Sequence, residues 1–307
     1  MSPLGLGLAA LGRPGYINLG HGDDLAGGTE VAAMKRRAHA ILDTAYEADI
    51  RYFDAARSYG EAEAFLASWL DRRGPAAEAV TVGSKWGYTY TAGWRVDAER
   101  HEIKDLSLTT LRRQLAESRS LLGPHLRLYQ IHSATLESGV LDDRALLDEL
   151  ARLRESGLAV GLTVTGAHQP ETIERAVEAG IFDTVQATWN LLDRSAGPSL
   201  AEAHAAGLGV IVKEALANGR LTARGNVPGL LELAGRRRVG PDALALAAAL
   251  AQPWADVVLS GAATVETLRS NLEALELDLH ERLDPELDAL VEDPARYWDE
   301  RAALPWN

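Results

Sequence analysis

The chain of 307 residues contains no cysteine. It therefore forms no disulfide, no catalytic thiolate and no cysteine-ligated zinc or iron–sulfur centre. No apolar run is long enough to span a bilayer. Residues 1–15 carry no basic residue ahead of their apolar run and show no clear cleavage site, so we expect no signal peptide. These absences predict a cytoplasmic protein.

Positive charge is also scarce, with 31 Lys and Arg against 44 Asp and Glu and a formal net charge of -13. Such a surface repels nucleic acids and anionic lipids, which excludes both as partners. A ligand that carries phosphate would need a local positive patch or helix N-termini. The expected partner is a small molecule, and the sequence is compatible with a monomer or a homo-oligomer.

Short apolar runs alternate with longer amphipathic segments along the chain. The runs predicted as strands are 4–11, 52–54, 79–85, 126–132, 159–163, 184–188, 209–213 and 257–259. The predicted helices are 30–48, 61–70, 108–122, 142–155, 170–178, 200–206, 230–237, 242–251 and 265–275, and 285–307 looks partly helical. This alternation indicates an α/β protein with a parallel sheet and helices outside it.

The repetition of eight strand–helix units favours a closed (β/α)8 TIM barrel in a single domain. The barrel is expected over about 4–275, followed by a C-terminal tail over about 276–307. A doubly wound open sheet is the alternative. That fold usually carries a glycine fingerprint after its first strand, whereas Gly5 and Gly7 lie inside the strand.

Four predicted strands end in an ionisable residue. These are Asp54, Lys85, His132 and Lys213. Each residue taken alone has a structural explanation, such as a helix cap, a solvated lysine or a core histidine. Because the carboxyl ends of barrel strands meet at one mouth, their coincidence favours a catalytic site there.

Tyr59 follows Asp54 in the next loop and adds a weak acid to this group. The pKa of a phenol is about 10. A nearby ammonium such as Lys85 lowers it, and Asp54 can pair with that ammonium. His132 can donate a hydrogen bond to a reacting oxygen. The cluster is a suitable proton donor for a carbonyl under reduction, and no metal site is predicted because the histidines lack ligand spacing.

The segments 54–60, 83–87 and 129–132 resemble, in order and spacing, the catalytic tetrad segments of aldo-keto reductases. Residues 185–190, 215–221 and 259–271 are similar to later segments of the same family, so the resemblance covers about 4–275. It implies an NAD(P)(H)-dependent oxidoreductase that interconverts an aldehyde or ketone and its alcohol by hydride transfer. Tyr59 would be the general acid in reduction and the base in oxidation, Lys85 would lower its pKa, Asp54 would pair with Lys85, and His132 would polarise the carbonyl.

The resemblance also implies an extended cofactor bound without a Rossmann motif. It favours NADP(H) and leaves NAD(H) open, since Thr267 stands where many members carry a long polar residue and Arg269 is the basic residue of that helix. Gln186 and Thr163 would hold the carboxamide, and Lys213 would flank the nicotinamide. The pyrophosphate loop would include Ala215, Leu216, Asn218, Gly219 and Leu221, and the adenosine end would include Gly261, Ala263, Thr264, Thr267 and Asn271.

Aromatic residues after the third strand suggest a flat-walled substrate pocket at the barrel mouth. The predicted substrate-binding residues are Trp86, Tyr88, Trp94 and Trp189, with Trp298 and Trp306 of the tail as possible additions to the wall. Such a wall suits an aromatic, cyclic or sugar-like carbonyl compound rather than a small anion. The nearest candidate for a carboxylate contact is Arg57.

Two other functions fit the same residues. A barrel of this kind can retain its cofactor and act as a regulatory sensor with little turnover. Lys85 can alternatively form a Schiff base in a lyase or aldolase. The Tyr59 and Asp54 partners and the late cofactor segments favour the oxidoreductase.

Overall fold

Every strand predicted from the sequence occurs in the computed structural model, which describes residues 2–25, 27–277, 279 and 285–307. The strands are β1 (Leu4–Gly7), β2 (Tyr52–Asp54), β3 (Thr81–Trp86), β4 (Tyr88–Tyr90), β5 (Glu102–Lys104), β6 (Leu126–Ala134), β7 (Ala159–Val164), β8 (Thr184–Thr188), β9 (Gly209–Lys213) and β10 (Val257–Ser260). Parallel pairing in the order β1-β10-β9-β8-β7-β6-β3-β2 closes a barrel. The barrel prediction is confirmed and the open-sheet alternative is wrong.

Helices alternate with the barrel strands on the outside of the single domain. They are α1 (His21–Asp24), α2 (Val31–Glu47), α3 (Ala62–Arg73), α4 (Leu108–Leu122), α5 (Arg144–Glu155), α6 (Gln169–Ala179), α7 (Gly197–Ala205), α8 (Pro228–Arg237), α9 (Pro241–Leu250), α10 (Val265–Leu272), α11 (Pro285–Asp288) and α12 (Pro294–Ala302). Of the helices in the described ranges, none has the length and apolarity to cross a membrane.

The antiparallel hairpin of β4 and β5 was not predicted. Each strand has only three residues and is mostly polar or half exposed, so neither shows a hydrophobic alternation. The hairpin follows directly on β3 and places Tyr88 and Glu102 beside the barrel mouth.

Glycines allow a large aromatic ring to fill the barrel interior. Tyr52 packs there with Leu128, Ile211 and Leu259, and a Cβ at Gly83 would lie 2.2 Å from the Tyr52 hydroxyl. Since side chains alternate along a strand, the inward Tyr52 implies that Asp54 also points inward, one layer nearer the mouth.

The C-terminal tail crosses the carboxyl ends of the strands. The indole nitrogen of Trp298 in α12 donates to Asp193 at 3.0 Å, and the backbones of Tyr16 and Asn307 exchange hydrogen bonds at 3.1 and 3.2 Å. The predicted partly helical tail is confirmed where it is described, and it covers one side of the mouth.

Candidate active site

The ammonium of Lys85 lies at the centre of the polar cluster in the barrel mouth. It forms an ion pair with Asp54 and donates to the backbone oxygen of Ala55 at 3.0 Å and to the hydroxyl oxygen of Tyr59 at 3.3 Å. Only 1% of Lys85 is exposed. Because the Tyr59 oxygen accepts from Lys85, its own hydrogen remains available to a molecule in the cavity.

Asp54 is held by donors on every side. Besides Lys85, it accepts from the Tyr52 hydroxyl at 3.2 Å, from Gln130 at 3.3 Å and from Gln186 at 3.0 Å. These donors come from β2, β6 and β8, so the carboxylate ties the barrel wall together beneath Lys85. Gln186 directs its nitrogen at Asp54, which leaves its oxygen as the atom free to accept from a ligand.

A second buried carboxylate supports the Tyr59 loop. Glu63 forms an ion pair with Arg57 and accepts hydrogen bonds from Ser84 at 2.6 Å and Ser118 at 2.7 Å. The backbone N–H of Arg57 also donates to the Lys85 oxygen at 3.0 Å. Arg57, the nearest candidate that the sequence offers for a carboxylate contact, is therefore occupied behind the site and does not line the cavity.

His132 stands beside the phenol, with its Nε2 3.5 Å from the Tyr59 hydroxyl oxygen. Its ring makes edge contacts with the rings of Tyr59 and Tyr88. Burial, followed by the nearby Lys85 ammonium, lowers the pKa of His132 well below its usual value. The ring is therefore neutral at physiological pH. Ser133 follows with a φ of 56°, where the pairing of β6 with β7 changes register, a local strain typical of functional sites.

The pKa of Tyr59 lies well above its ordinary value, because burial disfavours the phenolate and the Asp54 carboxylate adds to that effect. The sequence-based expectation was a lowered pKa under the influence of Lys85. The ammonium is in place, but burial outweighs it in the free protein. Tyr59 is thus a protonated phenol at neutral pH, which is the form needed to give a proton away.

A cavity of about 760 Å³ opens from these residues. The predicted cofactor residues that line it are Thr163, Gln186, Lys213, Ala215, Leu216, Asn218, Gly219, Gly261, Ala263, Thr267 and Asn271. Leu221 is fully buried in a hydrophobic cluster, and Thr264 caps α10 by accepting from the Thr267 N–H at 3.0 Å. Neither residue lines the cavity, so these two expected contacts are corrected.

The cavity wall fits an extended phosphate-bearing ligand in two respects. A Cβ at Gly261 would meet no protein atom within 4 Å, so the chain leaves room there. The turn over 217–219 has positive φ at Ala217, Asn218 and Gly219, and the side-chain oxygen of Asn218 is buried without a protein partner. Turns of this left-handed type suit anion binding. The Asn218 side-chain oxygen is an acceptor, so the ligand group that completes it must be a hydrogen-bond donor and not a phosphate oxygen.

The cavity wall also includes residues that bear on the choice of cofactor. Thr267 lines it, whereas Arg269 is exposed and does not. Arg224 lines this cavity and is held by Asp24 at 2.9 Å. Arg224 could not be predicted as a lining residue, because it lies outside the segments that resemble the family.

A buried group of charges lies beside Lys213. Its ammonium donates to Thr188 at 2.9 Å and lies 3.8 Å from Glu214, which is paired with Arg301 of α12. Burial lowers the pKa of Lys213 to about 8, with Glu214 acting in the opposite direction. Burial opposes ionisation of Glu214, but Arg301 and Lys213 outweigh it and lower its pKa to about 2. This ion pair connects the tail to the cavity wall.

The substrate side differs from the sequence-based expectation. Tyr88 lines the cavity, but Trp86, Trp94 and Trp189 do not. Since Lys85 points inward, the next residue of β3, Trp86, points outward. The Trp189 ring packs against Trp254, and the Trp94 indole donates to the Thr29 oxygen at 2.6 Å. Trp306 of the tail lines the cavity, whereas Trp298 does not.

Several residues in the wall were missed by sequence reasoning. They are Arg13, Tyr16, Glu102, Glu214 and Arg301. Each lies in a loop, the short hairpin or the tail, where no strand register places it. Of these residues, only Glu214 could have been found from the sequence, because it directly follows the predicted site residue Lys213.

The fold and this cluster together define an oxidoreductase of the aldo/keto reductase family. A model of that family matches residues 4–292, so the chain belongs to it. Its members are NAD(P)-dependent oxidoreductases that act on small-molecule carbonyl compounds.

Relatives are found among bacterial proteins. The uncharacterized oxidoreductase YqkF of Bacillus subtilis (strain 168) is 27% identical over 264 residues, covering 78% of this chain and 82% of its own. Protein tas of Escherichia coli (strain K12) is 25% identical over 313 residues, covering 82% and 88%. The holo form of the aldo-keto reductase AKR11C1 from Bacillus halodurans superimposes with a TM-score of 0.72 at 21% identity, covering 95% and 93%, which supports the fold.

Proposed function

We propose that the protein is a carbonyl reductase or alcohol dehydrogenase that uses NADP(H), with Tyr59 as its general acid and base. The observation that carries this proposal is the position of the Tyr59 hydroxyl. It lies between the Lys85 ammonium and the His132 ring, in the wall of the cavity. Because the raised pKa keeps Tyr59 protonated at neutral pH, the phenol carries the proton that a carbonyl oxygen receives during reduction.

The other residues act by binding and orientation. Neutral His132 donates a hydrogen bond to the carbonyl oxygen, and Asp54 keeps Lys85 in place. Gln186 and Thr163 would hold the cofactor carboxamide, and the loop with Asn218 and Gly219 would hold its phosphates. The cofactor supplies or accepts the hydride when bound, while the tail and hairpin limit access of water.

The substrate we propose is a neutral, ring-containing or sugar-like carbonyl compound. Tyr88 and Trp306 provide flat apolar surfaces in the cavity wall. Arg13 is paired with Glu102, and Arg301 is paired with Glu214. A substrate carboxylate would therefore have to displace one of these partners. This pairing disfavours a small anion.

The direct test is to follow the transfer of deuterium from the cofactor to the product. The protein is incubated with an aromatic aldehyde and with NADPH or NADH deuterated at nicotinamide C4, and the alcohol is analysed by mass spectrometry. Deuterium at the carbinol carbon is the expected result. Cofactor binding without labelled alcohol, across a panel of aromatic and sugar aldehydes, would contradict the proposal and favour the sensor. Borohydride trapping of substrate on Lys85 would favour the Schiff-base enzyme, which the buried, fully bonded Lys85 disfavours.

A further inference from the structure

Two glycines bring the loop after β1 against the loop that carries Tyr59. A Cβ at Gly12 would lie 2.0 Å from the Tyr59 backbone oxygen, and one at Gly60 would lie 2.4 Å from the Gly12 oxygen. The N–H of Glu61 donates to the Gly12 oxygen at 2.7 Å. This contact fixes the backbone of Arg13, the next residue, beside the phenol.

The side chain of Arg13 is enclosed by aromatic rings. Its guanidinium carbon lies 5.3 Å from the ring centroid of Tyr59, 5.4 Å from that of Tyr16 and 4.8 Å from that of Trp306. One nitrogen donates to the Ser58 oxygen at 3.0 Å and is paired with Glu102. Arg13 is 3% exposed, so the cation is fixed at the face of the Tyr59 ring.

A cation in this position acts on the ionisation of the phenol. Loss of the proton spreads negative charge into the ring, so a cation facing that ring stabilises the phenolate more than the phenol. Charged or titratable groups reach Tyr59 from each surrounding element. They are Asp54 of β2, Lys85 of β3, Glu102 of β5, His132 of β6, Glu214 after β9, and Arg13 and Tyr16 of the loop after β1.

We propose that Arg13 is a positioning residue for Tyr59, a second cation that stabilises the phenolate together with Lys85, and that Glu102 limits its effect. The catalytic meaning of this pair rests on the proposed function, whereas its electrostatic effect on Tyr59 does not. In agreement, Arg13 lowers the pKa of Tyr59 and Glu102 raises it, against the larger upward effects of burial and Asp54.

The two members of the pair therefore have opposite effects when neutralised. Arg13→Met keeps the length of the side chain but removes the charge, and raises the pKa of Tyr59. Arg13→Lys retains a cation and is expected to retain most of the effect. Glu102→Gln leaves Arg13 uncompensated and lowers the pKa. A purely structural role would loosen the site in all neutral variants and would not reverse sign between them.

The measurement uses the full chain with 2,3,5-trifluorotyrosine at position 59, whose phenol is more acidic and is followed by ¹⁹F NMR during a pH titration. We expect Arg13→Met to move the midpoint upward by about one pH unit and Glu102→Gln to move it downward. Midpoints that do not move, or that move in the same direction in both variants, would overturn the proposal. If Arg13→Met fails to fold, Glu102→Gln and Arg13→Lys are the deciding variants. A midpoint that does not move downward in Glu102→Gln would then overturn the proposal.

A kinetic readout separates the two proposals. Alcohol oxidation needs the phenolate, so the rising limb of its kcat/KM profile should move to higher pH in Arg13→Met and to lower pH in Glu102→Gln. NMR shifts of the expected sign in a protein that turns over no carbonyl or alcohol would support the Arg13 inference and contradict the proposed function. Turnover of a carbonyl or alcohol with unshifted pH profiles and NMR midpoints would support the proposed function and contradict the Arg13 inference.

Discussion

The hydroxyl oxygen of Tyr59 accepts a hydrogen bond from the Lys85 ammonium at 3.3 Å. This contact joins two residues that are far apart in the sequence, and the proposed proton transfer depends on both of them. It depends on Asp54, which fixes Lys85 from below, and on a loop that returns Tyr59 to the mouth of the barrel.

Replacement of Asp54 by asparagine is expected to damage both stability and activity. The carboxylate accepts from Lys85, Tyr52, Gln130 and Gln186, and an amide nitrogen in its place would face donors. We expect a loss of about 3 kcal/mol in the free energy of unfolding and at least about 10²-fold in kcat. Urea denaturation and steady-state kinetics measure the two effects. Asp43→Asn, at a surface carboxylate bound to Trp69 and two arginines, is the matched control; equal effects in both variants would contradict the central role of Asp54.

The ion pair between Arg301 and Glu214 should hold the tail on the barrel. Arg301→Met leaves a carboxylate in a largely buried position and is expected to destabilise the protein by about 3 kcal/mol. It should also speed amide hydrogen exchange in α12. Arg296→Met in the same helix removes an exposed i,i+4 pair with Glu300 and should change the stability far less, because exposed ion pairs contribute little. Similar exchange rates in both variants would argue against this anchoring.

Acid should destabilise the protein through His21. Burial lowers the pKa of His21 to about 4, while an unfolded histidine titrates near 6.5. The unfolded chain therefore binds a proton first as pH falls, and stability from this residue is lost between about pH 6.5 and pH 4. Relative to His21→Leu, the wild type should lose on the order of 3 kcal/mol more over this interval. Urea denaturation at both pH values tests this, with exposed His168→Gln as control; parallel losses in wild type and His21→Leu would refute it.

Arg224 is expected to contribute to cofactor choice. Arg224 is a positively charged residue that lines the cavity and is paired with Asp24 rather than with a residue of the Tyr59 cluster. If it contacts the 2′-phosphate, Arg224→Ala weakens NADPH binding by about tenfold and leaves NADH binding unchanged. Fluorescence titration with both cofactors measures this, and Arg269→Ala is the control because Arg269 does not line the cavity. An equal loss of affinity for NADPH and NADH would show that Arg224 does not bind the 2′-phosphate.

The barrel and the polar cluster could be predicted because both follow from strand periodicity. In parallel strands, the last inward residue is placed at the mouth by register alone, which located Asp54, Lys85 and His132. The same alternation would have shown that Trp86, next to Lys85, faces the helices. Arg13 and Trp306 could not be predicted, because only tertiary contacts between loops and tail bring them to Tyr59. The raised pKa of Tyr59 also depends on burial, which the sequence does not quantify.

The proposed reaction depends most on Tyr59 as the proton donor, and single-turnover kinetics of Tyr59→Phe test this role most directly. Protein preloaded with NADPH is mixed with excess aldehyde in a stopped-flow instrument, and cofactor absorbance is followed. Tyr46→Phe, which removes a phenol bound to the Ala76 oxygen on the protein exterior, serves as the control. We predict that Tyr59→Phe binds NADPH with wild-type affinity but transfers hydride about 10² to 10⁴ times more slowly. Hydride transfer by Tyr59→Phe within a few-fold of the wild-type rate would contradict the account.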